Sequence, residues 1–251
     1  MTPTSGEEGP SYHDLAGWYD VIYDARGKDY DTEADTLLAV ASEYGAPLRS
    51  LLDVACGTGR HLAAFDRHID EVVGLDQSPE MLAVAAGRVG PDVALVEGDQ
   101  RDFDLGRRFD VVTCLFSSIG YVDDANELDV AIASIARHVA PGGVLLIEPF
   151  LTPDLVEAGG RRDVLTAETA EGVIARVGSS RPDGDALVVD FAWAVATPAG
   201  VSTTEERHRL ALFTRERYLL AVERAGLEAS WREEVPGLIA SRGLLIGRRK
   251  P

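Results

Sequence analysis

Residues Leu51–Gly59 read Leu-Leu-Asp-Val-Ala-Cys-Gly-Thr-Gly, and the predicted fold is built outward from this stretch. Apolar residues that suit a buried strand end at Ala55, and a turn that contains Gly57 and Gly59 follows. An amphipathic stretch then begins at Arg60. Because glycine adopts backbone angles that a side chain forbids, the chain can turn sharply here and a ligand can approach its main-chain atoms. The stretch therefore predicts a strand, a tight loop and the start of a helix.

This loop differs from the dinucleotide-binding fingerprint. The pattern Gly-x-Gly-x-x-Gly requires a third glycine, and Leu62 stands at that position. The chain has Asp-x-x-x-Gly-x-Gly starting at Asp53, and Asp76 follows the next apolar run, Val72–Leu75. An acidic residue after the second strand is placed to accept hydrogen bonds from ribose hydroxyls. The pattern favours a nucleoside pocket without a pyrophosphate site and counts against a dehydrogenase.

The loop together with Asp76 resembles the cofactor site of the class I S-adenosylmethionine-dependent methyltransferases. The resemblance implies that the adenine amino group lies near Asp99 and that S-adenosylhomocysteine is the product. The alternatives are a turn role for Asp99 and a core role for Met81. The implied cofactor-binding residues are Asp53, Ala55, Cys56, Gly57, Thr58, Gly59, Asp76, Gln77, Met81, Asp99, Gln100 and Phe116.

Length, charge and cysteine content limit the class of protein. The chain has 251 residues, enough for one large α/β domain with an added segment. Its 24 basic and 42 acidic residues give a net charge of -18, which disfavours a nucleic-acid partner. No apolar stretch approaches the roughly 20 residues of a membrane span, so we expect a soluble, cytoplasmic protein without a membrane partner. Cys56 and Cys114 are expected to be reduced thiols, and no residue cluster suggests a metal.

Apolar runs that alternate with amphipathic stretches predict an α/β fold. Together with the family resemblance they indicate a doubly wound, seven-stranded, mostly parallel Rossmann-like sheet with its ligands at the carboxyl ends of the strands. The N-terminal aromatic segment is either a cap that fills the core or, as in the family, a lid over the cofactor. The predicted parts are a tail and helical lid at 1–45, the cofactor-binding core at 46–150, an antiparallel β insertion at 151–210, and a final helix with a strand pair at 211–251.

Two local predictions concern the second half of the chain. An amphipathic helix that includes Leu128 and Val139 is expected to end at Pro141–Gly143. A strand is expected to follow over Val144–Ile147. The insertion is predicted to contain strands at Gly172–Ser179, Ala186–Ala196 and Val201–Leu210.

Four further segments narrow the resemblance, namely Gly27–Tyr30, His61–Leu62, Phe116–Tyr121 and Ser241–Leu244. They are similar to segments of the nucleotide-linked aminosugar N-methyltransferases of antibiotic pathways, of the desosamine and mycaminose type. The resemblance covers most of the chain and weakens at 151–201, where we expect substrate selectivity to be decided. It implies that the enzyme places both methyl groups on the amino group of a TDP-linked aminodideoxy sugar.

Methyl transfer to an amine requires orientation more than acid-base chemistry. Tyr23 and Glu148 are the candidates for orienting the amine or accepting its proton; the alternatives are that Tyr23 only packs in the lid and that Glu148 only caps a loop. The candidate substrate-binding residues are Tyr23, Ser118, Phe150 and Arg242. By resemblance Arg242 serves the diphosphate. Four arginines of the insertion are further candidates for the phosphate oxygens, although a solvated surface position is expected for each of them: Arg161, Arg162, Arg176 and Arg181.

Several alternatives stay open at this stage. A glycine- or sarcosine-like amine is the other acceptor within the class, and a non-catalytic S-adenosylmethionine-binding module is the alternative outside it. The insertion could equally form a homodimer interface. The sequence does not distinguish a C-3′ from a C-4′ amine, one methyl group from two, or one nucleobase from another.

Overall fold

A computed structural model describes residues 12–235, 237–238 and 242–251. The predicted tail Met1–Pro10 and Ser241 of the last family segment lie outside the described residues. The helices are α1 (Tyr12–Ala25), α2 (Tyr30–Glu43), α3 (Arg60–Phe65), α4 (Pro79–Ala86), α5 (Ala125–Ala136) and α6 (Arg215–Arg224). The strands are β1 (Ser50–Val54), β2 (Glu71–Asp76), β3 (Ala94–Glu97), β4 (Phe109–Cys114), β5 (Val139–Ile147), β6 (Arg162–Thr169), β7 (Gly172–Asp183), β8 (Ala186–Thr197), β9 (Gly200–Ala211), β10 (Glu228–Arg232) and β11 (Leu244–Arg248). Within the described ranges, no helix has both the length and the apolar character of a membrane span.

The main sheet has seven strands in the order β10-β11-β5-β4-β1-β2-β3. The five strands β5, β4, β1, β2 and β3 run parallel to one another. Strand β11 runs antiparallel to both of its neighbours, β5 and β10. This confirms the predicted doubly wound, mostly parallel sheet. The chain builds outward from β1 through β2 to β3 and then returns to place β4 on the other side of β1. Ligands of such sheets bind where the strand order reverses, at the carboxyl ends of β1 and β4.

Local signals place the helices that flank the sheet. Asp29 caps α2 by accepting a hydrogen bond from the backbone N–H of Thr32, and Ser78 caps α4 in the same way with Pro79 in the first turn. Asp124 and Thr214 cap α5 and α6. The two faces of the sheet are covered separately, with α2 and α3 packed on one core cluster and α5 and α6 on the other. Strand β4 is buried along its whole length, as a strand covered on both faces must be.

The four strands β6-β7-β8-β9 form a second, antiparallel sheet, and α1 packs against it. Leu15 and Ile22 of α1 share a small core with Ile174, Trp193 and Val195 of this sheet. The N-terminal helix therefore packs between the second sheet and α4 of the main domain.

Two predictions about local structure were wrong. The helix ends at Ala136, and β5 begins at Val139 and continues through the Pro-Gly-Gly segment with an irregularity in its pairing with β4. Gly143 lies where a Cβ atom would be 2.7 Å from the backbone oxygen of Asp110, so the glycine serves a close strand approach instead of a helix stop. Strand β6, Arg162–Thr169, was missed because it is a largely exposed edge strand with little apolar signal.

Candidate active site

A cavity of about 500 Å³ opens at the carboxyl edge of the main sheet, between α1 and the second sheet. All the predicted site residues line it except Gly59 and Glu148. Gly59 begins α3 beneath the loop, and Glu148 lies behind the cavity wall. The predicted residues that line it are Tyr23, Asp53, Ala55, Cys56, Gly57, Thr58, Asp76, Gln77, Met81, Asp99, Gln100, Phe116, Ser118, Phe150 and Arg242.

The loop after β1 is held in an unusual backbone conformation. Ala55, Gly57 and Gly59 have φ angles of 57°, 55° and 75°, in the left-handed region. Asp76 at the end of β2 accepts hydrogen bonds from the backbone N–H groups of Gly57 at 2.8 Å and Ser78 at 2.9 Å. One carboxylate thus fixes both the loop and the start of α4. Burial raises the pKa of Asp76, although these N–H donors act in the opposite direction.

Asp53 is the most deeply placed acid of the cavity, with 2% of its surface exposed. Its Oδ1 accepts a hydrogen bond from the hydroxyl of Thr113 at 2.7 Å. Burial raises the pKa of Asp53 to about 6, against the opposing influence of His61. A cationic group placed beside this carboxyl would therefore favour its ionised form.

Asp99 and Gln100 line the wall of the cavity formed by the segment after β3. The guanidinium of Arg101 holds the Asp99 carboxylate from two nitrogens, with its Nη2 2.6 Å and its Nε 3.1 Å from Oδ2. This contact lowers the pKa of Asp99. The side-chain amide of Gln100 donates to the carbonyl oxygen of Ser118 at 3.0 Å, so the two walls of the cavity are joined.

Asp20 of α1 joins the N-terminal helix to the cofactor loop, a role that the sequence did not reveal. Its carboxylate accepts a hydrogen bond from the hydroxyl of Thr58 at 2.8 Å and another from Arg88 at 2.6 Å. Arg88 also donates to the carbonyl oxygen of Thr58. An aspartate inside an aromatic segment gave no signal of this contact, because its partners lie 38 and 68 residues away.

A second buried charge network lies beneath the cavity. The ammonium group of Lys28 contacts the Glu33 carboxylate at 2.6 Å, and His61 Nε2 lies 2.8 Å from the same carboxylate. Burial opposes ionisation of Glu33, but these hydrogen bonds outweigh it and lower its pKa. Lys28 also lies 4.5 Å from the ring centroid of Phe116. His61, which had no assigned role, thus belongs to a network that anchors the wall of the site.

Two neighbouring residues of the turn after β4, Phe116 and Ser117, have φ angles of 56° and 66°. Such angles are costly for residues other than glycine and persist where the surroundings impose them. The Glu148 carboxylate accepts the backbone N–H of Phe116 at 2.8 Å, and Arg242 donates to the Ser117 hydroxyl at 2.6 Å. Tyr23 packs edge-on against the Phe116 ring at 4.8 Å between centroids. Glu148 and Arg242 therefore hold a strained turn whose aromatic ring faces α1.

Arg176 is not the solvated surface residue that we expected. It is 2% exposed and lines the cavity, because α1 covers the face of β7 from which it projects. Its guanidinium stacks 4.2 Å from the Phe191 ring centroid and donates to the Tyr23 hydroxyl at 3.3 Å and to Asp163 at 3.3 Å. Its buried Nε has no hydrogen-bond partner within the described residues. The guanidinium of a cavity-lining residue thus has one buried N–H group without an acceptor in the described part of the protein.

Neither thiol of the site is suited to covalent chemistry. Cys56 and Cys114 are free and buried, and burial raises the pKa of both. Among the residues that the structure describes, no three His, Cys, Asp or Glu side chains are grouped to hold a metal ion. The arrangement binds and orients, with polar groups placed around a largely aromatic space.

Several known proteins are similar to this chain in sequence and in fold. The family described as "Methyltransferase domain" matches residues 51–143. A dTDP-3-amino-3,6-dideoxy-alpha-D-glucopyranose N,N-dimethyltransferase from Streptomyces fradiae is 42% identical over 97% of this chain and 94% of its own length. A dTDP-4-amino-2,3,4,6-tetradeoxy-D-glucose N,N-dimethyltransferase from Saccharopolyspora spinosa is 39% identical over 98% and 96%. The structure of an S-adenosylmethionine-bound amino pentose methyltransferase from Micromonospora echinaspora, involved in calicheamicin biosynthesis, matches with a TM-score of 0.81 and 33% identity over 100% of both chains.

Proposed function

The chain belongs to the dTDP-aminosugar N,N-dimethyltransferases, which are S-adenosylmethionine-dependent N-methyltransferases, and from this premise we propose that it methylates the amino group of a TDP-linked aminodideoxy sugar in antibiotic biosynthesis. The observation that supports this most is the 42% identity along nearly the whole length of both chains, which includes the second sheet as well as the cofactor core. Dimethylation is the proposed outcome.

The geometry fits S-adenosylmethionine at the predicted residues. Each Asp76 oxygen accepts one backbone N–H, and each has capacity left for a ribose hydroxyl. We place the adenine between Met81 and the Asp99–Gln100 segment, and the methionine end near Asp53. When bound, the cofactor supplies a methyl group on a sulfonium, which carries its own leaving group. The residues of the chain then bind and orient.

Orientation of the amine is assigned to Tyr23 and, indirectly, to Glu148. The Tyr23 ring is held between Phe116 and Tyr19, with centroids 4.8 and 4.6 Å away, and its hydroxyl accepts a hydrogen bond from Arg176. A side chain fixed on three sides can hold an amine in line with the transferred methyl group, and such alignment can supply about 7–11 kcal/mol of a barrier. Glu148 contributes through the backbone of Phe116.

The diphosphate requires positive charge in a protein whose net charge is -18. Arg242 lines the cavity and is positioned by Ser117, while Phe150 lies 5.8 Å from its guanidinium. Arg161 and Arg176 of the insertion line the same cavity. Guanidinium groups suit phosphate oxygens because they donate two parallel hydrogen bonds, and we assign the diphosphate to this side.

Three features of the wider protein complete the proposal. The Asp20 contact to Thr58 and the packed rings of Tyr19 and Tyr23 support a role for α1 as a lid over bound cofactor. Exposed valines on the second sheet, Val164 and Val177 among them, support a homodimer through the insertion, which sedimentation would test.

Two free cysteines suit a reducing compartment such as the cytoplasm.

The test uses synthetic TDP-aminosugars with the amine at C-3′ or C-4′, purified enzyme and S-adenosylmethionine, with products read by mass spectrometry. We expect the addition of one and then two methyl groups to one of the two regioisomers. Glycine and sarcosine serve as competing acceptors in separate reactions. Turnover of either amino acid without turnover of any nucleotide sugar would overturn the proposal, and nicotinamide difference spectra provide a control for dehydrogenase activity.

A further inference from the structure

A chain of hydrogen-bonding side chains crosses the substrate side of the cavity and has no part in the cofactor site. The Tyr121 hydroxyl lies 3.0 Å from His208 Nδ1, and His208 Nε2 lies 3.4 Å from the Glu206 carboxylate. Trp193 donates its indole N–H to the same carboxylate oxygen at 2.9 Å. Tyr121, His208 and Glu206 all line the cavity.

The protonation pattern of this chain follows from its partners. An ionised carboxylate only accepts hydrogen bonds, so the His208 nitrogen that faces Glu206 must be the donor. The imidazole proton is therefore on Nε2. His208 Nδ1 then carries the lone pair and accepts the Tyr121 hydroxyl. Glu206 is held in place by Trp193, which is 3% exposed. His208 is thus a base that a fixed carboxylate orients and that faces the cavity through Tyr121. Such an arrangement can accept a proton.

The proposed dimethylation needs such an acceptor at one particular step. The first transfer converts a neutral primary amine into a methylammonium, whose nitrogen has no lone pair. A second transfer to the same nitrogen requires that an N–H bond first break. No deprotonation is required after the second transfer for the product to leave as a dimethylammonium. The requirement for a base therefore falls between the two transfers.

We propose that the Tyr121–His208 pair, supported by Glu206, accepts the proton that leaves the substrate nitrogen between the first and second methyl transfers. The N–H bond breaks and its electron pair stays on nitrogen, the proton passes to the Tyr121 oxygen, and the phenol's own proton passes to His208 Nδ1. The resulting imidazolium lies beside the Glu206 carboxylate, which stabilises its charge. Tyr121 is 46% exposed, so the proton can then leave to water. This inference rests on the proposed aminosugar substrate.

The deciding experiment uses enzyme and S-adenosylmethionine in excess over an unmethylated TDP-aminosugar and measures the rates at which the monomethyl and then the dimethyl product form. This design is needed because only a methylammonium formed on the enzyme still carries the proton in question. His208→Asn keeps a side-chain acceptor near the Tyr121 hydroxyl but cannot bind the proton. We expect the first transfer to change no more than a few-fold and the second to slow by roughly 100-fold or more, so that monomethyl product accumulates. Tyr121→Phe, which removes only a hydroxyl, should show the same selective loss.

Controls separate this role from packing and from failure of the proposed function. His68→Asn alters an exposed histidine that faces Asp35 on the surface, and it should leave both rates unchanged. A His208 that only shapes the pocket would slow both transfers alike in the His208→Asn enzyme and leave the ratio of their rates unaltered, which would overturn the inference. So would a His208→Asn enzyme that converts the monomethyl intermediate to the dimethyl product at the wild-type rate. A wild-type enzyme that does not methylate the sugar at all would instead overturn the proposed function.

Discussion

The Asp76 carboxylate accepts the backbone N–H of Gly57 at 2.8 Å, across the gap between β2 and the loop after β1. The same side chain caps the entry to α4 through Ser78. The residue that the family resemblance assigns to the ribose is therefore also the residue that shapes the loop beside it. The proposed ribose contact and the loop geometry therefore depend on the same buried carboxylate, because this acceptor cannot be removed without releasing the loop N–H.

Asp76→Ala is expected to weaken S-adenosylmethionine binding strongly. Each lost hydrogen bond to a charged group costs about 1.5–3 kcal/mol, and the Gly57 N–H is left without its acceptor. Calorimetric titration should show affinity lower by at least about tenfold. Asp70→Ala, at an exposed acid between α3 and β2, is the matched control and should bind as the wild type does. Unchanged affinity in Asp76→Ala would remove Asp76 from the cofactor site.

Replacement of two loop glycines by alanine should have unequal effects on stability. Gly57 and Gly59 both have left-handed φ angles, which cost an L-residue about 1–2 kcal/mol. A Cβ on Gly57 would meet no protein atom within 4 Å, whereas one on Gly59 would lie 2.9 Å from the Ala85 Cβ and 3.1 Å from its Cα. Gly59→Ala should therefore lower the melting temperature more than Gly57→Ala. Equal melting temperatures would contradict the close packing of the loop on α4.

Asp53→Asn should change how stability depends on pH. Burial raises the pKa of Asp53 to about 6 in the folded chain from 3.8, so its stabilising contribution is full below pH 3.8 and is lost as pH rises through about 6. Asparagine does not ionise, and its carbonyl oxygen still accepts the Thr113 hydroxyl. The free energy of unfolding of the variant minus that of the wild type should rise between about pH 4 and pH 7 and then level off, by an amount on the order of 3 kcal/mol.

Urea unfolding of both proteins at each pH measures this difference directly. Other carboxyls of the chain, such as Glu33, have lowered pKa values and affect the two proteins equally, so they cancel in the subtraction. A difference that does not vary with pH would show that Asp53 titrates as an exposed acid does. Thr113→Val is a useful companion, because it removes the hydrogen bond that favours the ionised Asp53.

The sequence predicted that the loop after β1 and Asp76 meet at one cavity, and it could do so because the signals are local. A strand end, a glycine loop and an acid after the next strand lie within 26 residues of one another, from Leu51 to Asp76. Parallel pairing of β1 and β2 then brings them together without further information. The Pro-Gly-Gly segment inside β5 shows the limit of such reading, because a glycine required for close strand approach has the same appearance as one that ends a helix.

The substrate side depends on contacts between segments that are far apart in the chain. Arg176 is buried only because α1, about 150 residues earlier, packs on β7, and an alternating strand does not reveal which of its faces is covered. His208 and Glu206 lie on one face of β9 by the same alternation, but their link to Tyr121 requires the second sheet to fold over the main one. The sequence therefore led us to expect selectivity in the insertion, but it did not indicate which residues of the insertion line the cavity.

Arg176→Lys is expected to impair binding of the nucleotide sugar more than binding of the cofactor. Lysine keeps the charge but loses the planar group that stacks on Phe191 and donates to Tyr23 and Asp163 at once. KM for the sugar should rise at least several-fold while the dissociation constant of S-adenosylmethionine stays within error. An equal loss of affinity for both ligands would indicate that Arg176 supports α1 and does not contact the substrate.

Glu148 provides a test between a proton acceptor and a structural acceptor. Glu148 is 2% exposed, and its carboxylate accepts a hydrogen bond from the backbone N–H of Phe116 at 2.8 Å. This hydrogen bond helps to hold Phe116 at a φ angle of 56°. Glu148→Gln keeps an oxygen for that N–H, so methyl transfer and melting temperature should stay close to wild type. Glu148→Ala leaves the buried N–H unsatisfied, which costs about 1–3 kcal/mol, and should lower both. If glutamine were as damaging as alanine, the negative charge itself would be required, and Glu148 would return as a candidate base for the amine.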